Sequence, residues 1–104
     1  MLGITFKENC PDIRNTKAID IYKRLRACNA AVDVYDPWAS EEEVEEEFGI
    51  KLTSDFAQNR YDVIVLVVAH QKFLEIDFHS IKRAKSIVYD VKGVLNKEVV
   101  DKRL

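Results

Sequence analysis

The chain has 104 residues, 47% hydrophobic and 33% charged, which is the range of one soluble domain with a modest core. A formal net charge of -2 argues against nucleic acid or an anionic membrane surface as a partner, and no apolar run is long enough to span a bilayer. The N-terminus lacks the basic-then-apolar plan of a signal peptide, so a cytoplasmic location is expected.

Residues 1–6 (MLGITF) are rich in β-formers and begin with no lead-in, which reads as a strand in a cut chain. From Thr16, a plausible N-cap, the period changes. Ala18, Ile21, Tyr22, Leu25 and Cys28 fall at helical spacing, with Lys17, Asp20, Lys23, Arg24 and Arg26 on the other face. Residues 31–35 (AVDVY) read as a second strand ended by Asp36 and Pro37. Ser40 and Glu43 form an S-x-x-E capping box, Val44 and Phe48 give a short apolar stripe, and Gly49 supplies a helix stop. Residues 50–52 read as a brief third strand and 54–60 as a short helix or turn.

The unbroken β-branched run 63–69 (VIVLVVA) suits a central strand covered on both faces. Residues 73–84 read as one or two short helices, 86–91 (SIVYDV) as another buried strand, and 96–104 as a terminal helix. Strands alternating with helices predict an α/β fold: a three-layer, Rossmann-like parallel sheet of about five strands with helices on both faces, in one domain over 1–104.

Cys10 and Cys28 lack any metal-ligand or disulfide spacing and read as reduced thiols, and His70 and His79 have no cysteine near them, so no metal site is expected. Asp36 stands where a dinucleotide-binding fold places its ribose-binding acid, but no G-x-G-x-x-G precedes it, and it reads as a turn former before Pro37. The acidic run 41–47 reads as a solvated helix face, and Trp38 as a residue closing a strand end over the core. His70 ends the long central strand, where open parallel sheets bind ligands, but a histidine hydrogen-bonded at a strand end is the favoured reading.

The first strand-to-helix loop collects the most chemistry. Lys7, Asp12 and Arg14 sit where phosphates are usually held by a glycine loop, and side-chain cations can do the same work. A salt-bridged surface turn, with Asp12 pairing Lys7 or Arg14, explains the composition as well. Lys92 and Gly93 follow the last buried strand at the same end of the sheet.

The stretch GITFKENCPDIRNTKAIDI resembles the start of the C-terminal, UDP-binding domain of the UDP-glucose/GDP-mannose dehydrogenase family, which opens with G-[LIV]-[AST]-F-K, a polar loop and D-x-R-x-[ST]. Gly3, Phe6, Lys7, Asp12, Arg14 and Thr16 match in order, and the resemblance continues through VDVYDPWA, YDVIVLVVAHQKF and VYDVKGVL. The wording is most similar to bacterial members acting on UDP-N-acetylhexosamines for surface polysaccharides.

The resemblance implies a fragment of an NAD-dependent enzyme that oxidises the C6 alcohol of a UDP-sugar to a carboxylate in two hydride transfers. NAD would be bound mainly by an N-terminal domain of the same protein, the whole enzyme being a homodimer, and the fragment alone inactive. By position, Phe6 and Lys7 would contact the nucleotide sugar, and Arg14 would reach towards NAD. Lys92, or its neighbour Gly93, would meet the nucleotide, while Cys10 would not be the nucleophile. Two rivals are a receiver-type signalling domain, which needs an acidic pair where this chain has Lys7 and Glu8, and a free-standing nucleotide-sugar-binding module.

Overall fold

The computed structural model describes residues 1–56 and 60–103. In chain order these form helix α1 (Ala18–Ala27), helix α2 (Glu41–Phe48), strand β1 (Tyr61–Leu66), a 3-10 helix (Gln71–Glu75), the short helix α3 (Phe78–Ile81), and strands β2 (Lys82–Asp90) and β3 (Lys102–Arg103). The sheet is parallel in the order β1-β2-β3, with Ile64 opposite Val88 and Leu66 opposite Asp90. Two more segments lie alongside through isolated parallel bridges, Leu2 to Leu66 and Leu2 to Tyr35. Chain segments therefore run side by side from Tyr35 through Leu2, β1 and β2 to β3, and β1 is central.

Alternation along the strands divides the apolar residues between two cores. Val65 and Val67 join Ile4, Val34, Ala18 and Val44 on the face covered by α1 and α2. Ile64, Leu66 and Val88 join Leu2, Phe73, Phe78 and Ile81 on the face covered by the 3-10 helix and α3. The long apolar run of β1 is thus explained by cover on both sides.

α2 forms as its sequence dictates: Ser40 accepts from the Glu43 amide, Gly49 turns left-handed at φ 69°, and Val44 is the buried residue among six glutamates. Burying such a side chain stabilises by roughly 1.5–3 kcal/mol, enough to seat a helix otherwise made for solvent. At α1 the N-cap position is Lys17, with no capping side-chain bond, rather than Thr16. The Thr16 hydroxyl still accepts from the Ala18 amide and donates to the Thr5 carbonyl, tying the helix start to the opening loop. Asn29, at φ 62°, ends the helix in place of a glycine, with the Ala30 amide reaching back to the Leu25 carbonyl.

Several elements differ from the sequence expectations. Residues 1–6 and 31–35 contribute bridges in place of full strands, because beyond Gly3 the amides of Ile4 and Thr5 bond the Asp36 carboxylate instead of a neighbouring strand. Residues 50–52 form no strand: Ile50 and Leu52 are buried in the core, and the Thr53 amide alone reaches the Val34 carbonyl. β1 spans 61–66 instead of 63–69, and β2 starts at Lys82, four residues before the expected 86.

The terminal helix expected over 96–104 is absent from the described part of that segment, which turns and then adds β3. Asp101 causes this: its amide bonds the Val88 carbonyl and its carboxylate accepts from the Val88 amide, pulling the chain to the sheet edge. The helix or turn expected over 54–60 crosses residues 57–59, which lie outside the described residues.

Candidate functional site

The carboxyl ends of β1 and β2 and the loop after Leu2 converge at one end of the sheet, and buried carboxylates shape the turns there. Asp90, fully buried at the end of β2, accepts from the amides of Lys92, Gly93 and Leu95. That fan of bonds curls the chain into a turn in which Gly93 takes φ 70°. Lys92 is left exposed beside the opening loop.

Asp36, 5% exposed, does the same for two other segments. Its Oδ2 accepts from the amides of Ile4 at 2.8 Å and Thr5 at 3.2 Å and lies 3.0 Å from His70 Nε2. Its Oδ1 accepts from the amides of Trp38 and Ala39. Burial pushes the Asp36 carboxyl up, but the bonds from His70 and from the Ile4 and Trp38 amides outweigh it and hold the group below its ordinary value. With both oxygens so engaged, Asp36 is a turn former and is not presented to a ribose.

Held this way, the opening loop and the Lys92 turn line a cleft of about 180 Å³. Phe6, Lys7 and Lys92 all border it, over a floor of Val67, Val68 and Val91. Thr16, Lys17 and Ala18 place the N-terminal end of α1 on its wall. Phe6 is 53% exposed while its amide donates to the Asp12 carbonyl, so the main chain is fixed and the ring is free for a ligand. Three lysines face one glutamate, Glu8, around a helix end that itself carries partial positive charge. The cleft suits a phosphorylated ligand. Lys17 escaped the sequence reading because helical periodicity assigned it to the solvent face of α1; its place at the start of that helix was the available signal.

Arg14 lies elsewhere. Its guanidinium makes a two-pronged bond to Asp12, with Nε 3.0 Å from Oδ1 and Nη2 3.2 Å from Oδ2, and the Arg14 amide also donates to Oδ1. The pair holds the Asp12 carboxyl below its ordinary value and raises Arg14 above its own, both through these side-chain bonds first. This is the salt-bridged turn; its ion pair is Arg14 with Asp12, and Lys7 acts on Asp12 only as a more distant charge. Arg14 borders a broad depression between the opening loop and α2 that Glu43, Glu46 and Glu47 also line. The four expected site residues therefore divide, with Phe6, Lys7 and Lys92 together and Arg14 apart.

His70 is fully buried, and its hydrogen bonds at the strand end account for it. Trp38 is 43% exposed, with its ring centroid 6.3 Å from that of His70, so it shields the histidine more than it closes the core. Cys10 and Cys28 are free thiols. Among the described residues no group of three or more His, Cys, Asp or Glu side chains is placed to hold a metal. Among the same residues no helix is long and apolar enough to cross a membrane.

A family model described as UDP-glucose/GDP-mannose dehydrogenase family, UDP binding domain, matches residues 1–97. The chain is 45% identical, over its whole length, to the UDP-N-acetyl-D-glucosamine 6-dehydrogenase of Salmonella typhi and 42% identical to that of Pseudomonas aeruginosa, covering 25% of each. Over 94% of its length it is 37% identical to the protein CapL of Staphylococcus aureus, covering 24% of it. The chain spans about a quarter of the length of these relatives.

Proposed function

The chain belongs to the UDP-glucose/GDP-mannose dehydrogenase family, where it matches the UDP binding domain, and from that premise we propose that it is the nucleotide-sugar-binding part of an NAD-dependent UDP-sugar 6-dehydrogenase. The observation that carries the reading is the meeting of Phe6, Lys7 and Lys92, from two distant segments, in one lysine-rich cleft at the N-terminal end of α1. Lysine holds an oxygen-rich diphosphate as a point charge without demanding one fixed geometry, and an exposed ring offers a face to the rest of the nucleotide.

A cleft of about 180 Å³ is smaller than the roughly 300–1,000 Å³ that enclose a whole small ligand, so this chain would grip one part of the UDP-sugar. Another domain of the same protein would enclose the remainder, residues 1–104 forming one domain of the enzyme. The same reading gives a homodimeric cytoplasmic enzyme that serves surface polysaccharide synthesis. Its finer architecture is a three-layer, Rossmann-like sheet of about five strands, the two bridging segments counted as outer and inner strands.

NAD is the proposed hydride acceptor; the sequence holds no glycine fingerprint to cradle it, and Asp36 is committed to backbone amides. The cofactor contact of this chain is Arg14, reaching across to the dinucleotide held by another domain. A receiver-type domain or a free-standing binding module gains no support from the family match. The test is calorimetric titration of UDP into the dehydrogenase that carries this chain, followed by competition against UDP-sugar oxidation read as NADH formation. UDP should bind and compete; GDP binding as tightly as UDP, or neither binding, overturns the reading.

A further inference from the structure

Neither the cleft nor the lysines explain why a fully buried histidine stands behind them. His70 Nδ1 lies 2.9 Å from the Asn9 amide nitrogen, and that amide can only donate, so Nδ1 must be the acceptor and carry no proton. The proton of the neutral ring is then on Nε2, which lies 3.0 Å from Asp36 Oδ2 and 3.1 Å from Thr5 Oγ1. The Thr5 hydroxyl donates to the Lys7 carbonyl at 3.1 Å, so its oxygen can only accept from the ring, and the one Nε2–H is shared between Asp36 Oδ2 and Thr5 Oγ1. Asn9, at φ 54°, is clipped a second time where its side-chain oxygen accepts from the Gln71 amide. One ring thus braces the loop on both sides of Lys7, through the Thr5 hydroxyl two residues before it and the Asn9 amide two residues after it.

We propose that His70 is a positioning residue for the nucleotide-sugar cleft, acting as a neutral Nε2–H tautomer that fixes the loop carrying Phe6 and Lys7. This rests on the UDP-sugar reading above, but its first arm is independent of any ligand. In the chain itself, the Asn9 amide should exchange with solvent about as slowly as a ladder amide although it lies in an exposed loop.

Two conservative variants separate the two ends of the ring. His70→Asn can place its amide oxygen at the Nδ1 position and keep the Asn9 bond. His70→Gln reaches the Nε2 position and gives that bond up. Exchange at Asn9 should stay slow in His70→Asn and rise by about tenfold or more in His70→Gln, the effect of losing one hydrogen bond. In the dehydrogenase that carries this chain, UDP affinity should fall about tenfold in His70→Gln and be largely rescued in His70→Asn.

Fast exchange of the Asn9 amide in the wild-type chain overturns the proposal outright, even if a variant fails to fold. Slow exchange with equal UDP affinity in wild type and both variants overturns the positioning role. Failure of UDP to bind the wild-type enzyme overturns the nucleotide-sugar reading, and with it the role given to His70, while the exchange result still reports the latch.

Discussion

Gly3 passes so close to Val68 that a Cβ on the glycine would stand 2.6 Å from the Cβ of the valine and 3.0 Å from its backbone nitrogen. Gly3 also holds φ 100°, a conformation that L side chains rarely adopt. Both restrictions come from one cause: the Leu2 segment must lie flat against the end of β1, with the Leu2 carbonyl accepting from the Val67 amide.

Gly3→Ala should therefore destabilise the chain by roughly 2–5 kcal/mol, combining backbone strain with overpacking against the Cβ, Cγ2 and backbone nitrogen of Val68. Gly93→Ala is the control, since Gly93 has φ 70° but nothing within 4 Å of a new Cβ, and about 1–2 kcal/mol is expected from the conformation alone. Urea midpoints check both. Equal losses at the two positions would show that contact with Val68 is irrelevant.

Asp36 gives the fold a dependence on acid. A carboxyl held below its unfolded value contributes stability above about pH 4 and loses it as pH falls through the folded value. Wild type should weaken over that interval, and Asp36→Asn should flatten the profile there. At neutral pH the variant should be less stable by about 1–3 kcal/mol for each amide left without an acceptor, since an amide group has one oxygen where the carboxylate has two. Denaturant unfolding across the pH range measures this; an unchanged acid limb in Asp36→Asn refutes it.

The parts of the molecule legible from sequence were those decided locally. α2 was written in Ser40, Glu43 and Gly49, and the two-sided cover of β1 in its unbroken β-branched run. The grouping of Phe6, Lys7 and Lys92 could be expected because strand ends meet at one edge of a parallel sheet. What escaped depends on partners far apart in the chain. Nothing near Asp36 announces that the amides of Ile4 and Thr5 will take its carboxylate, and this exchange is what cuts short the first expected strand. In the same way, Asp101 finds Val88 and turns an expected helix into an edge strand. Lys17 is exposed, as its place off the apolar stripe implies, but periodicity describes a helix face and not the cleft that lies beyond the helix end.

By itself the 104-residue chain should produce no NADH above background from NAD and any UDP-sugar. It carries no glycine fingerprint, and its one acid in the ribose-binding position is buried in backbone bonds. Sustained turnover by the purified chain would overturn the assignment of NAD binding to another domain.

Arg14→Ala tests the proposed cofactor contact. The side chain is 85% exposed and its bond to Asp12 is local, so the melting temperature of the chain should not move. In the dehydrogenase that carries this chain, KM for NAD should rise about tenfold with UDP affinity little changed. A lowered melting temperature, or equal loss for both ligands, makes the ion pair with Asp12 the whole role of Arg14.

Lys7 offers the sharpest separation of fold from ligand, because the fold bonds its main chain and leaves its side chain exposed. The Lys7 carbonyl accepts from Thr5, while the side chain is exposed at the cleft and, among the described residues, makes no ion pair. Lys7→Ala should leave the chain's stability within about 0.5 kcal/mol, as exposed substitutions do. In the whole dehydrogenase the same change should weaken UDP by about tenfold, and Lys92→Ala should do likewise, since both cations face one cleft. Their double variant tells a shared ligand from separate ones. Two lysines holding one diphosphate are coupled through it, so the combined loss should depart from the product of the single losses. Rising salt should weaken wild type more than the double variant, because the screened charges are the ones removed. A large fall in the chain's stability with intact UDP binding reverses the assignment and makes Lys7 a structural residue.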